Sequence, residues 1–357
     1  VGATAANATT GGGDRGRAVG AVFVQTDGVD GNAVVAYDRL ADGTLRRAGT
    51  YATGGHGAAL AGSVVDHLAS QGSLARLGSS LFAVNAGSDT VTSFAIVGDR
   101  LVRTQIVGSA GDAPVSVAVH DRRVFVLNAR GGGSVQGYLD VGGRLVRVPS
   151  WHRGLGLDPN ATPEFTHTPA QIAFTPDGSK LIVSTKGNTS AFDVFRTTRY
   201  GLSATPVVTP VPGAVPFGFQ FDAAGHVVAT EAGTNAVATF AVAADGRMSA
   251  LAVAATGQAA TCWVVVDGPY AYASNAGSGT LSGYRLGARG SLTAIGTTAT
   301  DAGTVDAAVS ANGRYLYVQT GLAGMVDEFR VGADGALTAI GSVLVPGAVG
   351  GEGIVAI

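Results

Sequence analysis

The sequence contains almost no cysteine and little charge of either sign. Cys262 is the only cysteine in 357 residues, so no intrachain disulfide can form and a disulfide-stabilised scaffold is excluded. Charged residues make up 13% of the chain and the net charge is −2, with no basic block or stripe, so we expect no nucleic-acid partner. No apolar run approaches the roughly 18 residues of a membrane-spanning helix, so we expect no membrane partner either.

Glycine and small β-forming residues are abundant instead. The chain has 55 glycines and is 46% hydrophobic, and its valine, threonine and alanine residues are scattered along its length. This composition is typical of many short strands joined by tight turns. Length alone would allow two domains, but internal repeats that share one continuous core would make the chain a single domain.

The first residues differ in composition from the rest. Residues 1–17 are small, polar and rich in glycine, and the chain begins with Val1 rather than methionine. We interpret this stretch as a flexible leader that remains after removal of a signal peptide, ahead of one domain spanning residues 18–357. The expected location is therefore extracytoplasmic or secreted, with a cytoplasmic location as the alternative.

One short phrase recurs along the chain, a polar turn with Asp or Gly followed by Leu or Met, as in ADGTL (41–45) and ADGAL (333–337). The apolar residues that close the phrase are Leu45, Leu101, Leu145, Leu202, Met248, Leu292 and Leu337. They are separated by 56, 44, 57, 46, 44 and 45 residues. A period of this length with four short strands per unit predicts an all-β, seven-bladed β-propeller with four antiparallel strands per blade.

Each predicted blade contains an apolar innermost strand followed by a hairpin. Hairpin patterns occur at residues 81–96, 124–139, 271–286 and 316–331. Innermost strands, apolar on both faces, are expected at residues 115–119, 170–174, 217–221, 262–266 and 305–309. Residues 20–51 supply only three strands of blade 1, so the C-terminal residues 352–357 are predicted to add the missing innermost strand and to close the ring.

Two intervals between repeats are longer than the others, and they place extra residues at 52–70 and 149–168. Both insertions connect the outermost strand of one blade to the innermost strand of the next, so strand direction puts them on one face, here called the top face. Leu60, Val64 and Leu68 have helical spacing and predict a short helix in the first insertion. Long irregular loops are commonly functional, so we expect a functional site on the top face.

Several phrases in the predicted blades resemble those of a known family. They are TPDGSKLIVSTKGN (175–188), NAGSDTVTSFAI (85–96), SNAGSGTLSGYRL (274–286) and ANGRYLYVQT (311–320). Over residues 18–357 the chain resembles the lactonase family of seven-bladed propellers, which includes 6-phosphogluconolactonase and carboxymuconate cyclase. The resemblance implies an enzyme that acts on a small cyclic molecule at the top face.

The chain departs from this family where the innermost strands begin. Family enzymes tend to open some of these strands with Pro-Arg-His, whereas here they open with PVS (114–116), PAQ (169–171), PFG (216–218) and ATC (260–262). A strongly anionic substrate needs cations at the site, and the sequence offers only Lys186 together with Arg130 or Arg153. We therefore expect a lactone or related cyclic compound other than a phosphorylated sugar.

Four residues are candidate catalytic groups on the top face. Lys186 is predicted on the tip of blade 4, Glu231 on the matching tip of blade 5, and Glu352 at the start of the C-terminal strand. His167 precedes the innermost strand of blade 4 and is a candidate general acid or base near neutral pH. A carboxylate or His167 would act as the base, while Lys186 would bind the substrate anion or transfer a proton. The alternatives are a solvated tip residue for Lys186 and a loop cap for His167.

A larger set of residues is assigned to substrate binding. Its members are predicted in the second insertion, at the first positions of innermost strands or on a hairpin tip: Arg153, His152, Gln171, Phe217, Phe219, Cys262, Trp263, Asp306 and Asn275. Aromatic side chains at the mouth of the channel would form an apolar lining, and packing between blades is the alternative for them. Asn275 is equally consistent with a turn, and Cys262 has no evident base and is expected to be unreactive.

Two functions from different classes are compatible with these features. The first is an enzyme that hydrolyses, forms or isomerises a lactone or a related cyclic compound. The second is a non-catalytic propeller that binds a small molecule or a protein, because the fold alone does not define an activity. No cofactor is predicted, although Glu231, Glu352 and Asp306 offer oxygen ligands of the kind that calcium prefers. We expect a small-molecule substrate and a monomeric chain.

Overall fold

The structure, a computed structural model, describes residues 16–357, so nearly all of the predicted leader lies outside the described residues. These residues form seven antiparallel sheets, each of which contacts its two neighbours around a ring. The predicted seven-bladed β-propeller is confirmed. Between residues 16 and 357, no helix is long and apolar enough to cross a membrane.

The strands follow one another blade by blade along the chain. Blades 1 to 3 are built from β1 (Gly20–Gln25), β2 (Ala33–Arg39), β3 (Leu45–Ala52), β4 (Leu74–Leu77), β5 (Ser80–Asn85), β6 (Thr90–Val97), β7 (Arg100–Gly108), β8 (Pro114–His120), β9 (Arg123–Asn128), β10 (Ser134–Asp140) and β11 (Leu145–Gly154). Blade 4 is built from β12 (Gln171–Phe174), β13 (Lys180–Ser184), β14 (Ala191–Thr198), β15 (Gly201–Leu202) and β16 (Val207–Pro210).

Blades 5 to 7 are built from β17 (Pro216–Phe221), β18 (Val227–Glu231), β19 (Ala236–Val242), β20 (Met248–Ala255), β21 (Thr261–Asp267), β22 (Tyr270–Asn275), β23 (Thr280–Leu286), β24 (Leu292–Ala299), β25 (Thr304–Val309), β26 (Tyr315–Thr320), β27 (Met325–Val331) and β28 (Leu337–Leu344). The last strand is β29 (Ile354–Ala356). Two single-turn helices, α1 (Glu164–His167) and α2 (Lys186–Thr189), lie on the top face, and a 3₁₀ turn spans Ala288–Gly290.

The recurring Asp-Gly phrase forms the turn between the third and fourth strands of a blade. Gly43 and Gly335 have φ angles of +95° and +84°, which lie in the left-handed region that favours glycine. A tyrosine ring of the neighbouring blade also packs against each glycine, Tyr315 against Gly43 and Tyr270 against Gly335, so a Cβ atom at either position would clash. The repeated phrase therefore shapes the turn and the contact between blades together.

The C-terminal strand closes the ring as predicted. β29 pairs antiparallel with β1, with Val22 opposite Ala356, Phe23 opposite Val355 and Val24 opposite Ile354. The order β29-β1-β2-β3 makes the chain's last strand the innermost strand of blade 1. Ile354 is buried among apolar side chains of blades 1 and 7, so closure is sealed by packing as well as by backbone hydrogen bonds.

The two insertions lie on the same face and contact each other. The first connects β3 to β4 and contains only turns and bends, so the helix predicted around Leu60, Val64 and Leu68 is wrong. Leu60 and Leu68 are buried within the insertion, whereas Val64 is 70% exposed. The three residues therefore do not share one buried face. The second connection begins only after β11, and α1 is its one helical turn. The backbone N–H of Ala61 donates to Glu164 Oε2 at 2.6 Å and joins the two insertions.

Candidate functional site

The end of the first insertion crosses the central channel. We call residues 66–73 the plug segment. Gln71 Nε2 donates to the carbonyl oxygen of Val264 in blade 6 at 2.8 Å, and the indole N–H of Trp263 donates to the carbonyl oxygen of Ser70 at 2.6 Å. Ser70 Oγ donates to the carbonyl oxygen of Val115 in blade 3 at 2.9 Å. The mouth of the channel is thus covered by the plug segment, which contacts blades 3 and 6.

Lys186 lies beneath this plug segment and is 1% exposed. Its Nζ donates to the carbonyl oxygens of Ala69 and Phe165, at 2.7 and 2.6 Å, and to Thr168 Oγ1 at 2.9 Å. An ammonium has three donors, and here all three are used. Burial lowers the pKa of Lys186 to about 7, although the negative charge of Asp66 opposes that shift. Lys186 therefore ties the two insertions to blade 4 and is not the solvated tip residue that the sequence allowed.

Asp66, a residue that the sequence reasoning missed, provides the nearby negative charge. Its two oxygens accept the backbone N–H groups of Leu68 and Ser70, both at 2.8 Å, and so hold the plug segment in a tight turn. Burial raises the pKa of this carboxyl, whereas the two hydrogen bonds and Lys186 lower it. An aspartate placed two and four residues before two backbone donors is a local turn signal that the sequence contained.

Glu352 and Asp306 are brought together at the inner wall. Glu352 is fully buried and accepts from the backbone N–H groups of Gly72 and Ser73, at 2.7 and 3.3 Å. The carboxyls of Glu352 and Asp306 are in hydrogen-bond contact, and burial raises the pKa of Asp306 to about 6. Burial and the neighbouring carboxylates raise the pKa of Glu352 as well.

This arrangement does not suit a calcium ion. Calcium requires several oxygen ligands pointing at one centre, whereas backbone N–H groups face the Glu352 carboxylate. Among residues 16–357, no group of three or more His, Cys, Asp or Glu side chains is positioned to hold a metal ion. Glu231, the third predicted oxygen ligand, accepts a hydrogen bond from Thr234 Oγ1 at 3.2 Å on the tip of blade 5.

Asp27 adds a further buried carboxyl, and it leads to a prediction about pH. Burial raises its pKa from 3.8 to about 8, while it accepts hydrogen bonds from Gln25 Nε2 and from the backbone N–H of Glu352. The protonated form is favoured by folding, so the stabilisation is complete below about pH 4 and is lost as the pH rises towards about 8. Asp27→Asn should therefore raise the melting temperature by a few degrees at about pH 8, and by less at about pH 5.

The new amide can also use an available partner, because Gln25 Oε1 is buried without a hydrogen bond. Asp30→Asn, in the exposed part of the same loop, is the matched control and should leave the pH profile of the wild type unchanged. The measurement is thermal unfolding by circular dichroism across this pH range. A profile for Asp27→Asn parallel to that of the wild type would show that Asp27 is not protonated in the folded protein.

A polar cavity of about 240 Å³ opens on the top face beside α1. It lies between the tip of blade 3 and the second insertion, and its polar wall is formed by Arg130, Asp158, Glu164, His167 and Thr168. Arg130 Nε donates to Glu164 Oε1 at 2.6 Å, and this pair holds the pKa of Glu164 below its usual range. A cation, two carboxylates and an imidazole therefore share one small volume.

His167 is oriented so that one ring nitrogen is left available. Its Nδ1 lies 2.9 Å from the carbonyl oxygen of Pro163 and 2.9 Å from Thr166 Oγ1. The carbonyl can only accept, so a proton on Nδ1 satisfies that contact and leaves a lone pair on Nε2. Nε2 makes no hydrogen bond to any residue between 16 and 357 and lies near Gly187 of α2, while His167 as a whole lines the cavity.

Backbone donors lie on the opposite wall of the polar cavity. Gly131, Gly132 and Gly133 have φ angles of +65°, +85° and +72°, a conformation that glycine tolerates. The N–H groups of Gly131 and Gly132 donate to no other described residue, and both residues line the cavity. Arg130 Nη1 is similarly free of hydrogen bonds to described residues. These groups can donate to an oxygen atom of a bound ligand.

A second cavity of about 150 Å³ is apolar and lies on the other side of α1, towards blades 5 and 6. Phe217, Cys262 and Trp263, three of the predicted binding residues, line it together with Phe165 of α1. The rings of Phe217 and Trp263 are 5.0 Å apart at 63°, an edge-to-face contact. Phe217 and Trp263, two of the three aromatic candidates, thus line a cavity, whereas packing between blades was the alternative for them.

Other predicted binding residues lie away from both cavities. His152 and Arg153 belong to the outermost strand β11 and not to the second insertion, which corrects their predicted position. Arg153 donates to the carbonyl oxygens of Leu202 and Ser203, at 2.6 and 2.8 Å, and so joins blade 3 to blade 4. The long interval in the repeat had suggested a loop here, but the strand continues to Gly154 before the connection begins.

The remaining candidates make structural contacts. Phe219 is fully buried between blades 4 and 5, edge-on to Phe192 with centroids 6.0 Å apart. Gln171 Oε1 accepts the backbone N–H of Phe219 at 2.6 Å and links the same two blades. Asn275 accepts from Thr261 Oγ1 at 2.6 Å and closes the tip of blade 6. These contacts match the packing and turn alternatives that the sequence left open.

The protein is therefore a seven-bladed propeller whose channel mouth is covered by two insertions. Residues 65–350 match the family described as lactonase, 7-bladed beta-propeller. The chain therefore belongs to this family, as the resemblance implied. No curated protein matches the sequence significantly.

Solved structures share the fold along nearly the whole chain. A periplasmic gluconolactonase from Pseudomonas aeruginosa is 22% identical, with 95% of this chain and 99% of that chain covered and a TM-score of 0.73. A candidate 6-phosphogluconolactonase from Bacteroides uniformis is 17% identical, with coverages of 96% and 100% and a TM-score of 0.76. A protein from Lactobacillus plantarum is 18% identical, with coverages of 95% and 99% and the same TM-score of 0.76. At these identities the likeness establishes the fold.

Proposed function

We propose that this protein is a hydrolase that opens a lactone or a related cyclic ester in the polar cavity. The observation that carries the proposal is the orientation of His167, whose Nδ1 is engaged by Pro163 while Nε2 remains available as a base. The cavity also contains hydrogen-bond donors suited to a carbonyl oxygen. Membership of the lactonase family supports this class of reaction.

The proposed reaction needs only water and groups of this chain. His167 Nε2 takes a proton from a water molecule, whose oxygen attacks the carbonyl carbon of the ring. Negative charge develops on the former carbonyl oxygen, where Arg130 and the N–H groups of Gly131 and Gly132 stabilise it. The tetrahedral intermediate collapses with cleavage of the ring C–O bond, and the imidazolium returns the proton to the departing alkoxide. The product is a hydroxy acid.

The charge of the cavity bears on the kind of substrate. Glu164 neutralises Arg130, and Asp158 adds a further carboxylate to the wall. A phosphorylated lactone would meet net negative charge here, whereas hydroxyl groups would find both donors and acceptors. We infer that the substrate is an uncharged polar lactone, which agrees with the absence of the Arg-His openings in the innermost strands.

Replacement of His167 tests the proposal directly. His167→Gln should reduce lactone hydrolysis by about 10²-fold or more, because loss of a positioned general base has an effect of that size. Acid release from a panel of hydroxylated and alkyl-substituted lactones is measured in a pH-stat. His152→Gln, on the exposed outer strand, is the matched control and should retain full activity. Equal rates for wild type and His167→Gln would rule out the proposed base.

A non-catalytic binding function is the second candidate, and one observation favours it. Lys186 and Glu352, two of the four predicted catalytic residues, are saturated by internal hydrogen bonds beneath the plug segment and offer no free group to a substrate. A wild-type protein that hydrolyses none of the panel but binds a lactone in calorimetry would support this function. Ring formation or isomerisation would instead appear as activity in the reverse direction from the hydroxy acid.

We infer a small-molecule substrate, no resident cofactor and a monomeric chain. An extracytoplasmic location is supported by the periplasmic relative from Pseudomonas aeruginosa. Analytical ultracentrifugation tests the oligomeric state.

A further inference from the structure

The apolar cavity has no part in the proposed hydrolysis. It lies between the first insertion, α1 and the openings of blades 5 and 6, with its wall formed mainly by Val65, Phe165, Phe217, Cys262 and Trp263. Residues of α1 contribute to the walls of both this cavity and the polar cavity, and α1 separates the two. Its surface is almost entirely carbon, so it cannot serve the same chemistry.

The polar groups near this cavity are already engaged. The indole N–H of Trp263 donates to Ser70, and the oxygens of Asp66 accept two backbone N–H groups. Lys186 lies 5.4 Å from the centre of the Phe217 ring, but its three donors are used elsewhere. A polar or charged ligand would lose its hydration here without gaining partners, and that loss is costly.

The aromatic walls are held in place before any ligand arrives. Phe217 and Trp263 are 6% and 4% exposed and contact each other edge to face, and the hydrogen bond to Ser70 fixes the indole ring. A rigid apolar cavity does not have to be reorganised for binding, which lowers the cost of association. The volume of about 150 Å³ is comparable to that of an apolar cavity that accepts benzene.

We propose that the apolar cavity is a binding site for a small uncharged apolar molecule, of the size of a benzene ring or a short alkyl group. The ligand contacts the faces of Phe217 and Trp263, with the thiol of Cys262 at the wall. This site is distinct from the polar cavity and does not depend on the hydrolysis proposed above.

Trp263 supplies a direct signal for binding, because the chain has only two tryptophans. In a Trp151→Phe background, Trp263 is the only tryptophan, and its emission is titrated with benzyl alcohol and, separately, with benzoate. We expect a saturable change with benzyl alcohol and at least about tenfold weaker binding of benzoate, since burial of an unpaired charge is unfavourable. A response that is linear in concentration, or equal for the two probes, would overturn the proposal.

A cavity-filling variant provides the second arm. Ala276 lines the cavity and is 7% exposed, so Ala276→Leu should occupy the space and abolish the saturable response. Ala259→Leu, at an exposed position outside the cavity wall, is the matched control and should bind like the parent protein. Unchanged binding by Ala276→Leu would place the ligand elsewhere and reject this site.

Cys262 gives a measurement on the unmodified protein, in case the variants fail to fold. It is the only cysteine, and burial raises the pKa of its thiol to about 12, so slow reaction with N-ethylmaleimide is expected. Benzyl alcohol should slow this labelling several-fold at concentrations that saturate the fluorescence change, and benzoate should not. Labelling that is indifferent to benzyl alcohol would contradict occupation of the cavity.

Discussion

Removal of residues 354–357 is expected to prevent cooperative folding, or to lower the melting temperature by at least about 10 °C. These residues form β29, the innermost strand of blade 1, and their loss would expose the hydrogen-bonding edge of β1. Truncation of one buried isoleucine side chain to alanine costs about 2–5 kcal/mol. The deletion of residues 354–357 also removes a strand together with its backbone hydrogen bonds. Ring closure would then depend on the contacts between blade 7 and the three remaining strands of blade 1.

A pair of point variants separates this effect from a general tolerance to changes at the C-terminus. Ile354 is 5% exposed and packs between blades, whereas Val349, five residues earlier, is 61% exposed. Ile354→Ala should lower the free energy of unfolding in urea by about 2–5 kcal/mol, and Val349→Ala by much less. A truncated protein with the stability of the full chain would show that blade 1 does not need its inner strand.

Lys186→Met is the second substitution with a large expected effect, a loss of about 3–5 kcal/mol in the free energy of unfolding. Methionine fills a similar volume but leaves the carbonyl oxygens of Ala69 and Phe165 buried without a donor. It also leaves the carboxyl of Asp66 without its cation. Because both insertions are held by this ammonium, we expect the insertions of the variant to unfold before its blades do.

The control and the coupled variant make this prediction specific. Lys180→Met replaces the only other lysine, whose Nζ donates to Ser179 Oγ at 3.2 Å, and should change stability by less than about 1 kcal/mol. Combining Lys186→Met with Asp66→Asn removes the unpaired charge and should recover part of the loss. If the double variant is as unstable as the sum of the two single variants, the two residues are not energetically coupled.

Architecture was predictable from the sequence because it rests on local and repeated signals. The polar turn phrase that ends in Leu or Met requires left-handed backbone at positions such as Gly43, and its seven copies, 44 to 57 residues apart, define the blades. Closure by residues 352–357 followed from the missing strand of blade 1. The turn depends on neighbouring residues and the closure on the number of strands in each repeat, and both can be read from composition and spacing.

The interior of the top face could not be predicted in the same way. Lys186 and Glu352 were placed on the correct face, but their burial depends on the path of a loop that has no repeat to define it. Gln71 reaches from the connection before blade 2 to Val264 in blade 6, a contact between segments far apart in sequence. Asp66 carried a local turn signal, but its burial close to Lys186 depends on the path of the same loop. His167 was selected as a candidate because a histidine in a long loop is informative by type alone.

Completion of blade 1 by the last strand also sets an order of events during synthesis. The partner of β1, β29, is synthesised only after more than three hundred further residues. At the usual speed of translation, the edge of β1 waits unpaired for on the order of tens of seconds. Glu352, which anchors the plug segment, arrives at the same late moment. The edge of β1 therefore stays open until β29 is synthesised, and ring closure and anchoring of the plug segment then occur together.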